Sequence, residues 1–145
     1  MAEQLDFDTN TCPECGAARV AGMTCWEQLG ALIAWEYQDS ELRGEHFLIV
    51  AAYNLQHPAQ FTDEALAGLC AAFIERLDSG VAVEELRRRA AIAYNGAKRV
   101  LKDEAERRPV LQHWRMTIAD VYLPEQPRGA AGRVRQWAAM VGSEL

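Results

Sequence analysis

The feature that most constrains this chain is Cys12-Pro13-Glu14-Cys15-Gly16 followed by Cys25-Trp26, which places three of its four cysteines within the first 25 residues. Two thiolates separated by two residues can grip one tetrahedral ion, and a glycine after the second lets the backbone curl around the sulfurs. A fold built on such a pair must bring it against further ligands. Cys25, ten residues on, and the histidines at 46 and 57 are the candidates to complete a four-ligand set.

The surroundings of the pair bear on its chemistry. The leading stretch MAEQLDFDTN is acidic and has no apolar run, so it does not read as a signal peptide. No segment approaches the ~20 apolar residues that a membrane-spanning helix needs. The expectation is a cytoplasmic protein with reduced thiols, where a cysteine cluster signifies metal or redox chemistry before disulfides. A redox C-x-x-C expects a βαβ setting, and no such alternation is visible. Cysteine without a special role is usually buried as a small hydrophobe, whereas CPEC sits among Thr, Glu and Gly. Metal is favoured over redox thiols and over chance, and for this ligand set the ion expected is Zn2+.

Beyond the cysteines, the apolar residues keep a helical period. Thr24-x-x-Glu27 forms a capping box for a first helix through Trp26, Leu29, Leu32, Ile33 and Tyr37. Asp39 or Ser40 caps a second helix, with Leu42, Phe47, Ile49, Val50 and Tyr53 on its stripe, ending about His57 because Pro58 forbids continuation. Thr62 caps a third, with Leu66, Leu69, Cys70, Phe73, Ile74 and Leu77 facing inward, and Ser79-Gly80 ends it. Cys70 is read as packing. A fourth helix is expected over 83–106, and a last amphipathic one carries Val134, Trp137, Ala138 and Val141. Residues 114–123 fit either a short helix or an extended segment. With 145 residues and half of them apolar, the expected fold is all-α: one domain over 1–145, a bundle of about five helices behind an acidic lead-in and a zinc-knuckle-like loop at 1–23.

Geometry narrows the fourth ligand. On one straight helix His46, Tyr53 and His57 lie within about 20° of one line, and the two histidines are roughly 16 Å apart along the axis, so one ion cannot hold both. An antiparallel hairpin of the first two helices sets Cys25 level with about residue 52 and the knuckle beyond it, on the side of His57. The expected ligands are therefore Cys12, Cys15, Cys25 and His57, with a helix C-terminal cap as the plainer role for His57. His46 is read as a hydrogen-bonded residue at the helix seam, or as part of a polar line of Glu36, Glu45, His46 and Tyr53 facing a cleft. His113, beside Trp114, is a further candidate for that cleft.

Charge bears on partners. Residues 1–72 hold eleven acids against Arg19 and Arg43, while residues 73–145 hold thirteen Lys/Arg against ten acids. The basic runs Arg87-Arg88-Arg89 and Lys98-Arg99-Lys102 sit among Glu84, Glu85, Asp103 and Glu104, which is the pattern of a solvated helix face. Nucleic acid is not expected as a partner, since an acidic chain of net charge −6 needs a concentrated basic face to bind it.

The order Cys12-Pro13-Glu14-Cys15-Gly16, Cys25-Trp26 and then His46-x-Leu48-x-Val50-x-x-Tyr53-x-x-Gln56-His57-Pro58 resembles a small bacterial family of uncharacterised function. Thr117-Ile118-Ala119-Asp120-Val121 and Trp137-Ala138 extend the likeness toward the end of the chain. The resemblance implies a shared site and supplies no reaction.

Three functions follow from the residues. The first is a structural Cys3His zinc site that pins the loop to the helices, leaving the rest as a module that binds a protein or small-molecule partner, with Trp114 and Trp137 as first suspects were they exposed. The second is a zinc-dependent hydrolase-type enzyme in which the three cysteines leave an open position and His57 or Glu27 acts as base. The third is a thiol redox sensor using Cys12 and Cys15.

Overall fold

A computed structural model describes residues 10–93 and 99–145. Among them are six α-helices: α1 (Cys25–Trp35), α2 (Ser40–Arg43), α3 (His46–Leu55), α4 (Asp63–Ser79), α5 (Val83–Ala93) and α6 (Ala130–Ser143). Short 3-10 turns lie at Pro58–Gln60, Glu104–Glu106 and Ile118–Asp120. No strand occurs among the described residues, only the isolated bridges Thr11–Ala18, Val20–Met23 and Phe61–Leu101. The all-α expectation holds.

α3 is the axis of the bundle. Its sequence HFLIVAAYNL has no acid, lysine or arginine, and Leu48, Ile49, Ala51, Ala52, Tyr53 and Leu55 are buried, so apolar surface surrounds most of the helix. Such a helix is stable only when covered on several sides. α4 and α6 pack against it, and α2 packs on α6. α1 lies against the Ile118–Asp120 turn. Trp137, Phe73, Leu32, Leu42, Ile49, Ile118, Val121, Val134 and Val141 are among the largest fully buried apolar side chains of one continuous core. Trp137 is therefore core and no exposed suspect, while Trp114 is half-buried against the same cluster.

Capping follows the sequence. Thr24 and Glu27 close the capping box on α1, Asp39 accepts from Leu42 N–H at 3.0 Å, Thr62 accepts from Ala65 N–H, and Gly80 ends α4 at φ +64°. Three expectations change. The second helix is split at Gly44-Glu45, where Glu45 takes φ −100°, ψ 12° and the backbone tightens through Glu45 N–H to Leu42 O. The fourth helix does not reach 106. α5 is described to Ala93, residues 94–98 of that expectation lie outside the described residues, and the chain beyond is extended and pairs with the loop before α4. There Thr62 N–H donates to Val100 O at 2.9 Å, and Lys102 N–H to Gln60 O at 2.8 Å. Backbone groups taken by that pairing cannot serve a helix. Residues 114–123, open to either a short helix or an extended segment, form no α-helix and carry the 3-10 turn Ile118–Asp120, which Thr117 and Asp120 cap reciprocally.

Candidate metal centre

The centre begins with a tight loop. Gly16 adopts φ +79°, a region glycine enters freely, and this turns the chain so that Gly16 N–H reaches Cys12 O at 2.9 Å and Cys12 N–H reaches Ala17 O at 2.9 Å. The loop then aims backbone donors at sulfur. Glu14 and Cys15 N–H both lie 3.4 Å from Cys12 Sγ, and Ala17 N–H lies 3.4 Å from Cys15 Sγ. A second turn at Ala21 (φ +52°) and Gly22 (φ +78°) brings the chain to Thr24 and into α1. Two paired positive φ values are the signature of the tight hairpin turn whose twist suits antiparallel neighbours.

Polar contacts from three places fix this loop on the rest of the fold. Gln28, wholly buried on α1, donates Nε2–H to Ala18 O at 2.9 Å and Met23 O at 3.0 Å. Glu14 Oε2 accepts from Ala59 N–H at 2.8 Å, just past His57. Gln112 N–H donates to Glu14 O at 3.0 Å, which ties the 110–114 segment to the loop.

Cys25 is the first residue of α1, set by the Thr24 cap. His57 arrives from the other side, at the end of α3. There the last turn tightens, with His57 N–H bonded to Asn54 O, and Pro58 pushes the residue before it out of the helical region, to φ −130° and ψ 61°. His57 therefore leaves the line it would share with His46 on a straight helix and swings toward the loop.

The result is one cluster. The ligand atoms of Cys12, Cys15, Cys25 and His57 lie within 4.8 Å of one another, and this is the group of His, Cys, Asp and Glu among the described residues that could hold a metal ion. His57 Nε2 stands 3.6 Å from Cys12 Sγ and 3.5 Å from Cys25 Sγ. His57 Nδ1 lies 2.6 Å from Tyr53 O; a carbonyl only accepts, so Nδ1 carries the proton and Nε2 is the nitrogen turned to the sulfurs. The Tyr53 ring stacks on the imidazole at 4.0 Å between centroids, and its hydroxyl lies 3.4 Å from Cys25 Sγ.

Electrostatics point the same way. The Cys12 thiol is drawn far below its usual range, first by hydrogen bonds from the Cys15 and Cys25 thiols, with His57 and the Cys15 N–H adding to them against the cost of burial. The Cys15 thiol is pushed up, because it donates to that same sulfur and is buried beside Cys25. Burial alone would lower His57, yet hydrogen bonds to Cys12, Cys25 and the Tyr53 carbonyl outweigh it and raise the imidazole to about 10. Burial, and then its contact with Cys25, holds the Tyr53 hydroxyl well above its ordinary value, so it keeps its proton. By these shifts the Cys12 thiolate faces a protonated His57, the ion pair that a metal cation would replace by taking the proton's place on the imidazole.

The other candidates lie elsewhere. His46 Nδ1 pairs with the buried Glu36 carboxylate at 2.7 Å, and Glu45 pairs with Arg135 at 2.8 Å. The proposed polar line of Glu36, Glu45, His46 and Tyr53 is thus three separate contacts and no single cleft. His113 is exposed on the extended segment, and Glu27 spends a carboxylate oxygen on Thr24 N–H at 2.9 Å. Cys70 packs half-buried against the core, as its spacing suggests. Reading the residues alone missed Gln56, which donates to Met116 O at 2.7 Å and accepts from Trp137 Nε1 at 3.2 Å, anchoring the turn that carries His57. It also missed the fastening roles of Glu14 and Gln28. An amide beside a histidine and a proline at a helix end was the available signal for Gln56.

A family of unknown function (DUF5946) matches residues 10–145 of the chain. No curated protein and no solved structure matches it. The chain belongs to that family.

Proposed function

We propose that Cys12, Cys15, Cys25 and His57 hold one structural zinc ion, and that the protein works as a binding module whose N-terminal loop this ion locks to the helices. The observation that carries the reading is the spacing of donor atoms from three separated segments. Zinc bonds of roughly 2.3 Å to sulfur and 2.0–2.1 Å to nitrogen, set tetrahedrally, place S and N about 3.6 Å apart. The two S···N separations in the fold are 3.6 and 3.5 Å. Backbone N–H groups on the sulfurs and a carbonyl on the far nitrogen of the imidazole are the outer contacts that metal-bound thiolates and histidines use.

Four protein donors make a closed site, and a closed site is structural. That weighs against the hydrolase reading, in which His57 or Glu27 would stand free as a base: His57 is inside the cluster and Glu27 is a helix cap. It also weighs against a redox pair, since Cys12 and Cys15 share their surroundings with a third sulfur and an imidazole. The partner is taken to be a protein or a small molecule. An apolar groove of about 400 Å³ between α4 and α5, lined by Phe47, Leu69, Ala72, Leu86, Ala90 and Val100, lies away from the centre and supports a binding role. Nucleic acid remains disfavoured, because Arg88 and Arg89 pair with Glu85, Arg89 also with Glu75, and Arg99 with Asp103 and Glu106. No helix among the described residues is long and apolar enough to cross a membrane. A cytoplasmic setting, where the thiols stay reduced, fits the same reading.

The test is His57→Ala together with thiol titration. The variant is expected to lose zinc or bind it at least tenfold more weakly, and the thiols of wild-type Cys12, Cys15 and Cys25 should become titratable only after a chelator is added. Full zinc and full stability in the variant contradict the closed site. Immediate reaction of wild-type Cys12 and Cys15 favours the redox reading instead.

A further inference from the structure

We infer that Tyr53 is a positioning residue of the metal centre: its hydroxyl donates a hydrogen bond to the Cys25 thiolate and its carbonyl and ring fix His57, so that it sets metal affinity and the reactivity of Cys25. This rests on the reading that the four side chains hold zinc. The argument starts from how each sulfur is hydrogen-bonded. Cys12 Sγ faces the N–H groups of Glu14 and Cys15, and Cys15 Sγ faces that of Ala17. Cys25 Sγ has the Tyr53 hydroxyl at 3.4 Å as its one donor outside the cluster among the described residues. A thiolate has no proton to give, so in the metal-bound centre the hydroxyl donates. Two of the three sulfurs are served by backbone, which no substitution removes, and the third by a single side chain.

The same residue reaches a second ligand twice. Tyr53 O takes the Nδ1 proton of His57 at 2.6 Å, and the Tyr53 ring lies on the imidazole at 4.0 Å with 21° between the planes. Tyr53 is itself 5 % exposed, and Trp26, 68 % exposed, leans over it with ring centroids 6.1 Å apart. The hydroxyl is thus held in a dry place where a hydrogen bond to a charged acceptor counts for more than in water. A hydrogen bond withdraws charge from sulfur. Without it the thiolate is a stronger nucleophile and a more easily oxidised ligand.

Tyr53→Phe isolates the hydroxyl, since it keeps the ring and the carbonyl. Measured by competition with a calibrated chelator, its zinc affinity should fall by roughly 10–100-fold, the usual effect of losing an outer-shell partner. With Co2+ as the probe, the sulfur-to-cobalt charge-transfer band should move to lower energy, and alkylation of Cys25 by iodoacetamide should quicken. Replacing all tyrosines with 3-fluorotyrosine, whose hydroxyl is a stronger donor, should move the band the other way, and this arm does not depend on the variant folding. Wild-type affinity and an unmoved band in Tyr53→Phe, or no band shift with fluorotyrosine, overturn the inference while leaving the zinc site standing. A wild-type chain that takes up neither Zn2+ nor Co2+ overturns both.

Discussion

At the scale of single residues, the centre depends on side chains that never touch the metal ligands' reactive atoms. Gln56 shows why. Its amide is 1 % exposed and satisfies both the carbonyl of half-buried Met116 and the buried Trp137 indole N–H. Taking the amide away leaves the indole N–H without a partner, at roughly 1–3 kcal/mol for a buried orphan. Gln56→Leu should therefore destabilise the protein by about 1–3 kcal/mol in urea unfolding. A loss below the ordinary scatter of surface substitutions, about 0.5 kcal/mol, would mean that Gln56 does not anchor the turn.

At the scale of elements, the telling piece is the end of α3. Pro58 keeps His57 out of the helical region, at φ −130° and ψ 61°, and so turns the imidazole off the helix line toward the loop. Pro58→Ala lifts that restriction and lets the helix run on. It is expected to weaken metal binding several-fold while costing roughly 0.4–1 kcal/mol of stability, the scale of a lost proline constraint. Unchanged affinity, read by chelator competition, would place the orientation of His57 elsewhere. Much of this level was legible beforehand. The capping box at Thr24, the cap at Thr62 and the stop at Gly80 rest on local chemistry with short spacing, while the meeting of Cys12, Cys15, Cys25 and His57 follows from the antiparallel placing of the first helices. What was not legible depends on distant backbone. The pairing of Thr62 with Val100 has no side-chain pattern to announce it, so the helical period of 83–106 was followed too far. Reading α3 as a straight rod also hid what Pro58 does to the residue before it.

At the scale of the molecule, the fold divides its stability unevenly. α3, α4 and α6 share fully buried Ile49, Phe73, Val134, Trp137 and Val141, the greater part of a core that the loop joins mainly through Cys15 and Ala17. The loop itself buries little apolar surface beyond Cys15 and Ala17, so the ligand cluster and a few hydrogen bonds are its main ties to the helices. Removing the metal should thus release residues 10–25 first. In hydrogen exchange, chelated protein should lose protection in the loop and the first turn of α1, while amides of α3 and α6 stay protected. Collapse of protection throughout would show that the ion holds the whole bundle together. Most direct is elemental analysis of the chain purified under reducing conditions: one mole of zinc per mole of protein is predicted for the wild type and a clear loss for Cys25→Ser. A wild type that carries no zinc, takes up none on titration and shows all its thiols free would contradict the account.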